Sequence, residues 1–324
     1  MENINKFQSL VILFMVALGI LLGQIGFVQE YSEYLITPFL MVMLFLVFLQ
    51  IPLKDILKSS KNLKFTLTAV IINFIWTPFL IFILGKIFLA NYPELLIGYI
   101  MLMVTPCTDW YLIFTGIAKG NVALGSSILP LNLVLQLVLL PVYVFLIGGN
   151  SVDMNTIDLV KGVVSTLIIP LVCAILIRKI ILNKISQEDF DEKVATKACD
   201  YQGYFLNAAI VSMFASQGKI LLENIQVLLI LLIPVLLFFI INFCVGRLVG
   251  KVMKLSYEDN VSLNLTTLAR NSPIALAIAV ATFPDKPLIS LALIIGPLIE
   301  LPVLFIIAKI LLNIRSKKID IIEN

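Results

Sequence analysis

Met101–Trp110, MLMVTPCTDW, and Thr266–Ala275, TTLARNSPIA, stand about 165 residues apart and share one grammar. Each sets a proline beside a hydroxyl residue inside an otherwise apolar run. Each also carries a charge there, Asp109 in the first stretch and Arg270 in the second. A continuous apolar helix needs neither feature. A charge near the centre of a bilayer costs roughly 3 kcal/mol on insertion scales, so a residue held there points to function. Matched interruptions in corresponding halves of a chain mark the midplane binding site of secondary transporters.

The composition around these stretches fits a membrane-embedded chain. Of 324 residues, 60% are hydrophobic and 13% charged, and the mean hydropathy is +1.06. A soluble domain carries roughly 25% charged residues. The opening MENINKFQSL has no small-residue cleavage site ahead of a long apolar run, and it reads as the approach to a first span. Crossing the hydrocarbon core takes about 20 apolar residues. That length predicts ten helices, at 8–28, 34–52, 66–89, 95–118, 121–148, 159–181, 199–218, 223–249, 260–283 and 288–312. Short turns separate spans four and five (AKGN, 118–121) and spans nine and ten (FPDK, 283–286). The most polar linker, Asn183–Lys197, joins spans six and seven.

With both termini cytoplasmic, the outer side receives only Lys86, Lys161, Lys219 and Lys286. Every other Lys or Arg of the 23, apart from Arg270, falls inside. Basic residues concentrate on the cytoplasmic face of membrane proteins, so this orientation is expected. The outer linker Gly148–Asp158 divides the spans into repeats at 1–148 and 159–324. Because five is odd, the second repeat runs opposite to the first. The expected fold is therefore an all-α integral membrane protein built from two inverted five-helix repeats. An offset of 164 aligns Cys107 with Asn271 and Gln136 with Glu300, whereas Thr105-Pro106 aligns with Ser272-Pro273 only at 167.

Proline removes a backbone donor and clashes with the preceding turn, so Pro106 and Pro273 predict helix breaks. Thr105 suits an N-cap with Pro106 at the first helical position, and Ser272-Pro273 repeats the pattern. Two half-helix N-termini meeting at the midplane would then frame a polar pocket for an oxygen-bearing solute. The alternative is that each proline only kinks a packed helix. Arg270 needs a counter-ion, for which Asp109 is the first candidate and Glu300 in span ten the competitor. Their pairing reads either as a proton-operated relay or as a permanent lock between the two halves. Cys107 beside the break is either a small packing residue or a thiol poised to bind a soft element. Cys173, Cys199 and Cys244 read as packing residues. Thr108, Asn271 and Ser272 supply hydrogen-bonding groups at the breaks. Asn132 and Gln136, one turn apart in span five, either face the crossing or join helices as polar glue. The Asn242–Gly246 stretch and Gln202, Asn207 and Ser212 in span seven are weaker candidates. The chain has no histidine and no paired cysteine spacing. No metal site, cofactor, nucleic-acid partner or enzymatic chemistry is expected.

At TPCTDW (105–110), AKGNVAL (118–124), ARNSPIALAIAVA (269–281) and GPLIELPVL (296–304), the chain resembles the bile acid:sodium symporter superfamily. Within it, the resemblance is closest to the bacterial arsenical-resistance permeases that export arsenite. It implies a panel domain of spans one, two, six and seven, a core domain of spans three to five and eight to ten, and crossing broken helices four and nine. It also implies elevator-like movement of one domain against the other. Arsenite exporters use a cysteine in the fourth span and a glutamate in the tenth, the places of Cys107 and Glu300. Asp109 departs from their pattern. Sodium-coupled relatives carry a glutamate several residues before the Asn-Ser of span nine, where this chain reads TTLARNS (266–272). The expectation is arsenite efflux through the plasma (inner) membrane in exchange for protons carried by Asp109 and Glu300. The rival is sodium-coupled uptake of a small organic anion held by Arg270.

Overall fold

The computed structural model describes residues 11, 14–50, 62–107, 110–148, 168–223 and 225–323, and among these the regular elements are helices. We label them α1 (14–22), α2 (Gly26–Gln50), α3 (Leu63–Phe88, with a π-turn at Ile72–Trp76), α4 (Pro93–Met103), α5 (Trp110–Ile117) and α6 (Val122–Gly148). The second half continues with α7 (Ile169–Leu182), α8 (Thr196–Glu223), α9 (Ile225–Val252), α10 (Tyr257–Leu268), α11 (Ser272–Thr282) and α12 (Pro287–Glu323). Stretches within α2, α3, α6, α9 and α12 are long and apolar enough to cross a membrane unaided. The shorter α4 and α11 are apolar too. The linker Gly149–Asp158, the start of span six, Lys54, Lys58, Lys61, Lys161, Thr108 and Asp109 lie outside the described residues.

The turns at 118–121 and 283–286 fall where expected, between α5 and α6 and between α11 and α12. The Asn183–Lys197 stretch does not form an open linker. Ser186 caps a one-turn helix, Gln187–Phe190, by accepting from the Asp189 N–H, and a π-turn at Asp191–Ala195 carries it into α8. Acidic residues in a first turn complement the helix dipole, which is why so polar a sequence coils here. The hydrogen bond from Lys193 holds the Asp189 carboxyl below its usual range, with Ser186 and the lysine's charge assisting. Phe190 is buried, with the Arg178 guanidinium 4.7 Å from its ring centre.

Two groups of helices emerge from the packing. The longest contact runs between α2 and α8, with α7 also against α2. Helix α1 joins them at Gly19, where an added Cβ would fall 2.7 Å from the Val211 carbonyl oxygen of α8. In the second group α4 packs on α12 and α6, α9 on α10 and α3, α10 on α5, and α11 on α12. The α4–α12 approach is tight at Gly98, where a Cβ would lie 2.7 Å from both Ala292 Cβ and the Ile289 carbonyl oxygen. Contacts of α2 with α11 and of α8 with α12 join the groups. Large apolar side chains such as Phe27, Tyr34, Ile75, Leu146, Leu248 and Val252 face outward. A shell of that kind suits lipid and not water. Cys173 and Cys244 belong to this outer surface and do not fill helix contacts as expected, because their positions on α7 and α9 point away from the packed faces.

Candidate functional site

Pro38, Pro141, Pro234, Pro297 and Pro302 all sit inside helices that continue through them. Proline alone therefore does not explain why the chain opens at 104–107 and 269–271. At these two places the broken segments pair with each other. Pro106 and Arg270 form an antiparallel bridge. The Asn271 N–H donates to the Thr105 carbonyl at 2.7 Å, and the Cys107 N–H donates to the Ala269 carbonyl at 2.9 Å. A buried main-chain group left unsatisfied costs about 1–3 kcal/mol. Each break thus supplies the partners that the other lacks.

The break after α4 is finished by Thr105. Its hydroxyl proton is shared between the carbonyls of Met101, at 3.0 Å, and Leu102, at 3.1 Å. Thr105 therefore closes the helix before it and does not cap a helix after it. The expected N-cap at Thr105-Pro106 is corrected on this point, since Pro106 is held in the bridge to Arg270 and is not the first residue of a helix. On the other segment the cap is Asn271, whose side chain accepts from the Ile274 N–H at 3.2 Å. Ser272 and Pro273 follow as the first two residues of α11, where a missing N–H is harmless. Replacing Asn271 by alanine is expected to cost about 1 kcal/mol, read as a lowered thermal midpoint.

Arg270 lies between the breaks and is 1% exposed. Its main-chain N–H donates to Glu300 Oε1 at 2.9 Å. The guanidinium donates from Nε to the Leu268 carbonyl (3.0 Å), from Nη1 to the Met103 carbonyl (2.9 Å), and from Nη2 to Asn73 Oδ1 (3.1 Å) and the Thr267 carbonyl. Phe238 covers it, with the ring centre 5.1 Å away. Met103 ends α4 and Leu268 ends α10, so two helix C-termini, the negative ends of their dipoles, converge on this cation. The sequence predicts N-termini at the crossing and does not predict these two C-termini, while the chain just before α5 lies outside the described residues. Only α11 presents its N-terminus within the described part of the crossing.

A cavity of about 30 Å³ borders Arg270, Ser272, Pro273 and Glu300, with Leu206 and Ile210 of α8 forming its opposite wall. A water needs at least about 10–15 Å³ of such space, so one or two waters fit and little else. Glu300, 3% exposed, reaches this cavity from α12 between Pro297 and Pro302.

The sequence profile of the Sodium Bile acid symporter family matches residues 37–224. The chain belongs to that family. Among its relatives, "Arsenical-resistance protein Acr3" of Corynebacterium glutamicum is 26% identical over 248 residues, covering 73% of this chain and 66% of that protein. The Acr3 protein of Alkaliphilus metalliredigens is 24% identical over 298 residues, 87% of this chain and 82% of its own. "Uncharacterized sodium-dependent transporter YocS" of Bacillus subtilis is 23% identical over 254 residues, 78% of this chain and 75% of its own. As a member of the bile acid symporter family with these apolar helices, the chain is a multi-pass membrane transporter.

Within this family member the sequence-selected residues fall into two sets. Cys107, Arg270, Asn271, Ser272 and Glu300 come together at the paired breaks, all buried. Asn132 and Gln136 are also buried, on α6. Asn132 Nδ2 lies 3.5 Å from Thr266 Oγ1, in the half-helix leading to the second break. Thr108 and Asp109 fall outside the described residues, so the expected Asp109–Arg270 pair rests on sequence alone. Asn73 was not singled out. It sits in the π-turn of α3, where Nδ2 donates to the Thr266 carbonyl at 3.3 Å, fixing Oδ1 toward Arg270. A lone asparagine in so apolar a span was the available signal. Asn242, ranked as weak, is a hub. It donates to the Thr267 carbonyl at 2.8 Å and accepts from Trp76 Nε1 at 2.9 Å.

Proposed function

We propose that this transporter exports arsenite by exchange for protons moving inward. The fold we assign is ten spans in two inverted repeats, 1–148 and 159–324, with both termini in the cytoplasm and the chain in the plasma (inner) membrane. The observation that carries the reading is the buried set of polar atoms left without hydrogen-bond partners. Among the described residues these include Ser272 Oγ at the cavity, Asn132 Oδ1, and both amide atoms of Gln136. Such atoms are costly unless something satisfies them. Arsenous acid, an uncharged trihydroxy molecule near neutral pH, brings the donors and acceptors that they lack. Cys107 supplies the soft ligand that prefers arsenic to a carbon polyol. The two Acr3 relatives favour this substrate.

The cavity is too small for a solute of glycerol size, so loading requires α8 to move from α11 and α12. That boundary separates the α1, α2, α7 and α8 group from the remaining helices, which supports a panel and a core domain and elevator-type movement between them. Asp109 and Glu300 carry the protons in this reading, with Thr108, Asn271 and Ser272 holding the substrate. Arsenite uptake into everted vesicles is expected to need an acid interior and to collapse with a protonophore. Cys107→Ala and Glu300→Gln are each expected to lower it at least tenfold. Undiminished uptake by both variants would end the assignment.

The name of YocS favours a second reading, sodium-coupled uptake of an organic anion. Against it stands the state of Arg270. Four of the five N–H donors of a guanidinium are already engaged by protein oxygens, leaving no fork for a carboxylate.

A further inference from the structure

The oxygen atoms around the Arg270 guanidinium are of the kind that hold an alkali cation. Three are main-chain carbonyls, of Met103, Thr267 and Leu268, and the fourth is Asn73 Oδ1. None of the four carries a formal charge. Two of the carbonyls belong to the last residues of α4 and α10, where the helix dipoles are negative. Hard, weakly charged oxygen sets of this type, built on unwound backbone and half-helix C-termini, coordinate monovalent cations at the midplane of transporters. Opposite them, among the described residues, stands the carboxyl group of Glu300, bonded to the main-chain N–H of the same arginine. The guanidinium and this carboxyl group are both buried.

We infer that the Arg270 guanidinium is a tethered resident cation, filling an alkali-cation site that the crossing of the two breaks would otherwise form. The neighbouring residues fix this arrangement. Asn73 turns its oxygen inward because its amide nitrogen is committed to the Thr266 carbonyl. The Thr267 carbonyl accepts from both Asn242 and Arg270, using both lone pairs. Phe238 closes the remaining side over the guanidinium. A covalently attached cation cannot leave with the substrate. The wild-type protein then has no use for sodium at this place, whatever solute it carries. Removing the guanidinium leaves four inward-facing oxygens and a buried carboxylate, with the cavity beside Ser272 and Glu300 as a route for an ion.

The test is thermal unfolding of the purified full-length chain in sodium, potassium, choline or methylguanidinium chloride at equal ionic strength. Wild type is expected to melt at one temperature in all four. Arg270→Ala and Arg270→Gln are expected to melt lower in choline. They should recover about 3 °C or more in sodium, potassium or methylguanidinium, as a ligand bound only by the folded state requires. The double variant Arg270→Ala/Glu300→Gln, without the compensating carboxylate, is expected to lose that recovery. A sodium-dependent rise in wild type overturns the inference, because the site would then not be filled. So does the absence of any cation-specific recovery in both single variants, including failure of both to fold in every salt. These readouts are independent of arsenite uptake, so the substrate assignment and the resident-cation inference fail separately.

Discussion

Glu300→Ala is expected to lose about 1–3 kcal/mol of stability, the range for leaving a buried donor without its partner. Glu300→Gln should keep most of it. The alanine variant removes the oxygen that accepts the Arg270 main-chain N–H and takes the carboxyl group away from beside the guanidinium. Both groups remain buried, so neither finds water in exchange. Glutamine keeps an acceptor oxygen at the same reach and fills the same space, but it cannot bind and release a proton. The two variants therefore separate structure from coupling. Thermal unfolding should distinguish alanine from glutamine, while proton-driven uptake should be low in both. If glutamine melts as low as alanine, the fold depends on the negative charge itself and not on the acceptor oxygen.

Gly98→Val is expected to lower the yield of folded protein sharply, at a cost near the upper end of about 1–3 kcal/mol for overpacking. The Cβ alone would meet Ala292 Cβ and the Ile289 carbonyl oxygen, both at 2.7 Å. One of these is backbone, so no rotamer change relieves it, and α12 must move away from α4. Glu300 and Gly296 ride on α12, and Gly296 already leaves only 2.8 Å between a Cβ and Ser272 Oγ. A shift there reaches the site directly. Gly203→Ala is the control, since a Cβ at Gly203 on α8 meets nothing within 4 Å. Size-exclusion profiles and melting temperatures of the two variants decide the matter. Equal behaviour would show that the α4–α12 contact has more slack than its geometry implies.

Much of the arrangement was legible in the residues. The two interruptions stood out because a charge and a proline in an apolar run have no other use. The short turns at 118–121 and 283–286 were legible because the apolar runs end there. Glu300 was legible as a lone carboxylate. The direction of the helix ends was not. Thr105-Pro106 has the composition of an N-terminus, yet Thr105 turns its hydroxyl back onto the carbonyls of α4. A threonine hydroxyl serves either end of a helix, and the pairing of Pro106 with Arg270 decides which. Asn73 was missed because a π-turn leaves no mark in hydrophobic periodicity.

The sequence by itself determined that this chain is all helix and apolar, that it opens at two matched places, and that Arg270 and Glu300 are too costly to be incidental. Those follow from composition and spacing, which are local. What Arg270 touches was decided only by the tertiary structure. The acceptors of its guanidinium are one side-chain oxygen from α3 and three main-chain carbonyls at the ends of α4 and α10. Every residue carries a carbonyl, so no residue type in the sequence announces them. They become a cation site only where two broken helices bring their ends together.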